Sequence, residues 1–72
     1  MKDYLFTRKF IVHAGHRGQQ MIYRIPNSII IRAENDRAAC KIAQQICKIE
    51  GASDEQYLVE LESARKVEFT LK

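Results

Sequence analysis

Residues 35 to 50, NDRAACKIAQQICKIE, read as one amphipathic helix between two stretches that alternate like strands, and no other feature limits the fold as tightly. At about 100° per residue, Ala38, Ala39, Cys40, Ile42, Ala43, Ile46, Cys47 and Ile49 fall within an arc of roughly 200°, while Arg37, Lys41, Gln44, Gln45 and Lys48 take the remainder. So wide an apolar arc, rich in small residues, predicts a helix lying close on a sheet with its flanks covered as well. Asn35 or Asp36 supplies the N-cap, and Gly51 fits the residue that closes the last turn. Glu34 and Asp36 near the start and Lys48 near the end suit the helix dipole.

Strand signals lie on both sides. From Tyr4 to Val12, Tyr4, Phe6, Phe10 and Val12 share one face, and Leu5, Thr7, Lys9, Ile11 and His13 the other. Arg8 interrupts the apolar face, which implies either a bulge or a strand running past the edge of the core. Residues 14–19, AGHRGQ, read as a hairpin loop, with a return strand from about Gln20 to Ile25. Pro26 either kinks an edge strand or sits in an Ile25-Pro26-Asn27-Ser28 turn that leads into a third strand, Ile29 to Ala33; the turn is preferred.

After a loop, GASDE, a second hairpin follows. Tyr57, Val59 and Leu61 alternate with Leu58, Glu60 and Glu62, and Val67, Phe69 and Leu71 with Lys66, Glu68, Thr70 and Lys72. A three-residue connection, Ser63-Ala64-Arg65, sets Leu61 opposite Val67, Val59 opposite Phe69 and Glu62 opposite Lys66. The expected fold is therefore α+β: ββ(β)αββ, an antiparallel sheet of four or five strands with one helix on one face. At 72 residues and 46% hydrophobic, the chain makes one domain, near the lower limit for a single core, where oligomerisation can supply what the core lacks.

Charge is uneven. Residues 1–32 hold six bases against Asp3 alone, net +5, and residues 33–72 hold six bases and eight acids, net −2. Arg8, Lys9, His16, Arg17 and Arg24 on the first hairpin, with Arg37, Lys41 and Lys48 along the helix, are the candidate partner-binding residues. A hairpin tipped by His16-Arg17 fits a nucleic-acid groove, with Tyr4, Phe6 or Tyr23 as stacking surfaces. Against this, strand bases on opposite faces need not form one patch, and they also serve to discourage edge pairing.

Other chemistry finds less support. His13, His16, Cys40 and Cys47 lack zinc-ligand spacing, and the two cysteines, about 10 Å apart along a helix, are expected as reduced buried thiols. Ser28, Ser53 and Ser63 have no base and orienting acid beside them, and Glu60 and Glu62 are expected to face water. No enzymatic activity, metal or cofactor is expected. No run of about 18 apolar residues exists, and Arg8 and Lys9 break MKDYLFTRKF before a signal-peptide core forms, so a cytoplasmic protein without a membrane partner is expected.

The stretch SIIIRAENDRAACKIAQQI resembles a layout found in small phage and mobile-element proteins: a strand ending in Ala, a capping residue, then an Ala-rich helix with a hairpin close behind. Some anti-CRISPR proteins share that arrangement. The resemblance implies a small stoichiometric inhibitor of a host complex that handles nucleic acid, and it transfers no functional residue. Three readings stay open: a non-enzymatic module that engages a protein, direct RNA or DNA binding through the basic hairpin, and a homodimeric accessory protein joined through a strand edge such as Ile29 to Arg32.

Overall fold

The computed structural model describes residues 1–16, 18–51, 53 and 55–69. Its elements are β1 (Lys2–His16), β2 (Gln19–Ala33), α1 (Asp36–Glu50), β3 (Glu55–Glu60) and β4 (Arg65–Val67). They form one antiparallel sheet in the order β2-β1-β3-β4, with α1 across one face, so the α+β architecture is ββαββ with four strands.

The cap residues fix the helix ends. The Asn35 side chain accepts a hydrogen bond from the Ala38 amide at 2.9 Å, which settles the N-cap on Asn35 and leaves Asp36 in the first turn. Gly51, at φ 93°, donates its amide to the Cys47 carbonyl and ends the helix. Ala39, Ala43 and Cys47 are the helix residues that are fully buried. They pack on Tyr4, Phe6, Ile31, Ala33, Leu58 and Val67. The buried stripe is narrower than the apolar arc. Cys40 donates its thiol to the Glu68 carbonyl on the β4 side, whereas Ile42 and Ile49, on the flank turned toward β2, stay exposed. The expectation of two covered flanks is thus corrected: the four-stranded sheet ends at β2, and none of the described residues extends past that side.

Three sequence expectations about strands are also corrected. First, β2 runs unbroken from Gln19 to Ala33 with Pro26 opposite Lys9, so neither a turn nor a separate fifth strand exists there. β2 is an edge strand, where a residue without an amide donor is tolerated. Second, the first hairpin is tighter than a 14–19 loop: His16 pairs with Gln19. Gly18 takes φ 84°, and a Cβ on Gly15 would lie 2.9 Å from the Gln19 carbonyl oxygen. Arg17 lies outside the described residues.

Third, the second hairpin pairs Leu58 with Val67, Val59 with Lys66 and Glu60 with Arg65, leaving Leu61–Ala64 as a four-residue connection in place of Ser63-Ala64-Arg65. The face therefore inverts. Leu58 and Glu60 point under the helix while Tyr57 and Val59 take the open side. Glu60 does not face water. It is buried because Arg65, Ser63 and Lys2 hold its carboxylate. β4 stops at Val67; Thr70, Leu71 and Lys72, and Ala52 and Asp54 of the GASDE loop, lie outside the described residues.

Strand lengths decide the shape. β1 and β2 are 15 residues each, but β3 pairs only with Tyr4 to Lys9. Beyond that, residues 10–16 and 19–25 continue as a two-stranded ribbon. The long axis is 50 Å and the radius of gyration 14.5 Å, against about 11 Å for a compact chain of this length.

Candidate interaction surface

Even-numbered residues of β1 face the helix, as Tyr4 bonds Asp36 and Arg8 bonds Glu50. The helix runs from the Tyr4 end of the sheet to the Arg8 end, and there it stops. Past it, the same face of the ribbon carries Phe10, Val12 and Ala14 from β1, paired with Ile25, Tyr23 and Met21 of β2. Met21, Tyr23 and Ile25 are about half exposed, at 53, 46 and 50%, and the Tyr23 hydroxyl donates to the Met21 sulfur at 3.2 Å. At the tip, an open depression of about 180 Å³ is lined by Ala14, Gly15, Gln19 and Met21. The opposite face of the ribbon adds exposed Ile11 and Ile22 beside His13 and Arg24. Apolar side chains without a covering layer, on a projecting element, make this ribbon face the candidate interaction surface.

The bases fare differently. Arg8 is corrected from surface residue to core residue, for it is 1% exposed. Its guanidinium bonds Glu50 and Asn27 and lies over the Phe6 and Phe10 rings at 5.4 and 5.6 Å. No bulge forms at Arg8. The position is buried because the last helical turn reaches over it and supplies a carboxylate. Lys9 and Arg24 share Glu55 at 3.7 and 2.8 Å, Arg32 meets Asp3 at 3.1 Å, and Lys2 meets Glu60 at 3.4 Å. Five of the six bases behind the net +5 of residues 1–32 thus face an acid, and the sixth is Arg17. His16 ends β1 at the ribbon tip. Arg37, Lys41 and Lys48 are exposed along the outer side of α1 within an arc of about 40°. Arg8, Lys9, Arg24, Arg37, Lys41 and Lys48, the candidates whose side chains are described, are therefore not gathered into one patch.

The helix start holds the densest polar cluster. Arg65 donates to both oxygens of Asp36 and to Glu60, and Tyr4 donates to Asp36 at 2.9 Å. The Arg65 hydrogen bonds hold both carboxyls below their ordinary values, and burial beside Asp36 pushes the Tyr4 phenol up to about 12. The cluster's hydrogen bonds close on one another. Burial also raises both thiols, Cys40 and Cys47, which are unpaired. His13 lies on the sheet face away from α1, which carries both cysteines, and among the described residues no three His, Cys, Asp or Glu side chains gather as metal ligands. No helix among them is long and apolar enough to cross a membrane.

The ribbon residues Met21 and Ile25 were not legible as a site from charge or motif, and Tyr23 was expected only as a stacking surface for bases. The available signal was arithmetic. Two long alternating runs flank a two-residue turn, while β3 has only six residues to pair with them, so an overhang follows. Compared with known proteins, the chain matches no family model, no curated protein and no solved structure.

Proposed function

We propose that this chain is a small non-enzymatic binding module that engages a protein through its projecting ribbon. The observation that carries the reading is the exposed row Val12, Met21, Tyr23 and Ile25 beyond the end of the helix. A protein partner covers such a row, and phosphates gain nothing from it. Acidic partners on Lys2, Arg8, Lys9, Arg24 and Arg32 weaken the case for a phosphate-tracking hairpin. Two unpaired thiols fit a reducing cytoplasm. The layout resemblance to phage-type inhibitors agrees with a module that acts by occupying its target.

One observation favours direct nucleic-acid binding instead, the exposed row Arg37, Lys41 and Lys48. The two readings separate by variant. Tyr23→Asp is expected to abolish retention of a protein, whether another protein or an untagged copy of the chain, while Arg37→Ala/Lys41→Ala/Lys48→Ala leaves it intact. Retardation of RNA or DNA whose salt dependence flattens in the triple variant, with retention unaffected by Tyr23→Asp, would overturn the proposal.

A further inference from the structure

We infer that the molecule covering the ribbon is a second copy of this chain, packed about a two-fold axis so that each ribbon lies in the layer left vacant beyond the other's helix. This rests on the reading of the ribbon as a protein contact and names its partner.

Lengths make the fit. Fifteen strand residues span about 50 Å, whereas fifteen helical residues span about 22 Å, so α1 covers less than half of the face that β1 and β2 offer. The uncovered remainder is as long as the ribbon itself. Helix on sheet and sheet on sheet both pack at about 10 Å, so a ribbon from a second copy continues the helix layer without a step. Antiparallel placement about a two-fold brings the tip of one ribbon beside the helix end of the other. At that helix end Ile49 stands 82% exposed. At that tip lies the depression of about 180 Å³ between Ala14, Gly15, Gln19 and Met21, large enough to take one aliphatic side chain. Knob and hollow are on the same chain, which is what an isologous contact requires.

Chemistry agrees with geometry. Phe10, Val12, Ala14, Met21, Tyr23 and Ile25 carry no charge, so two copies meet without like-charge repulsion despite the net +3 of each chain. Lys9, His13 and Arg24 alternate onto the other face and stay out of the contact. The core also has room to gain. Among the described residues its nine buried apolar side chains include three alanines and one cysteine, and a small domain of that kind commonly relies on a second subunit.

Sedimentation equilibrium of the full chain, from about 1 µM to about 300 µM, tests the pairing, since a contact of modest area dissociates by dilution in that range. The expected mass rises from 8.4 kDa to twice that value. Ile49→Asp and Tyr23→Asp, each checked for folding by circular dichroism, weaken association at least about tenfold. Ile22→Asp, on the opposite ribbon face, leaves it unchanged. A wild-type mass of 8.4 kDa throughout overturns the inference. So does association lost in Ile22→Asp but kept in the other two, or growth past two copies. A monomer that still retains a different protein in a Tyr23-dependent way overturns self-pairing alone, and one that retains none removes the contact reading with it.

Discussion

Ala64 holds φ at 55° in the connection between β3 and β4, a conformation in which its Cβ crowds the following carbonyl. Glycine has no such atom, so Ala64→Gly is expected to stabilise the fold by about 1 kcal/mol, read as a higher midpoint in chemical denaturation. Arg8 presents a subtler asymmetry. Its side chain is sealed while that of Glu50 is more than half exposed, and its Nε has no hydrogen-bond partner. Removing Glu50 strands a buried guanidinium that cannot shed its proton, whereas removing Arg8 releases a carboxylate already in contact with water. Glu50→Ala is therefore expected to cost about 3 kcal/mol, and Arg8→Met, which keeps the volume under the last helical turn, distinctly less. Equal losses in urea titrations of the two variants would contradict this account of the pair.

At the scale of elements, the start of α1 is tied to β1, β3 and β4 by titratable groups, and that joint sets the pH range of the fold. Asp36 and Glu60 have folded-state pKa values below their ordinary ones, chiefly through Arg65, so the unfolded chain binds protons more readily. Their contribution is complete above the unfolded carboxylate range near pH 4 and disappears as pH falls through the lower folded values. Tyr4 behaves in the opposite sense. Its raised pKa of about 12 means that its contribution is complete below the unfolded tyrosine value near 10 and declines as pH rises toward 12. Ultraviolet titration is expected to place the ionisation of Tyr4 at about 12, and Asp36→Asn to lower that step. The same joint explains what the sequence left illegible. Helix caps obey local rules, and Asn35 and Gly51 could be read from their neighbours alone. Glu60 obeys no local rule, because an acid is buried there only once Arg65 arrives across the hairpin. Alternation makes Tyr57, Val59 and Leu61 as plausible an inner face as Leu58, so nothing nearby shows which face turns inward. Pro26 misled for a similar reason: a proline signals a turn unless its strand is known to be an edge, and edges are a property of the assembled sheet.

The molecule as a whole divides its labour along its 50 Å axis. Among the described residues, every buried apolar one lies at the end where α1 covers the sheet, and none falls between Val12 and Tyr23. A two-stranded ribbon alone is marginal in water, so the distal half is held in register by the body rather than the reverse. Replacing residues 12–23 by Asn-Gly, which joins the facing pair Ile11 and Arg24 through a tight turn, keeps Phe10 against Arg8 and leaves the body intact. At concentrations too dilute for association, the shortened chain is expected to retain the helical circular-dichroism signal and a stability within about 1 kcal/mol of the full chain. On raising the concentration the two should diverge. The full chain gains stability as copies pair, because association draws on the folded state alone, while the shortened chain has lost the surface that pairs and stays constant. Thermal unfolding of both proteins across a dilution series checks this, and a body that melts when the ribbon is removed would show that the two halves fold as one unit.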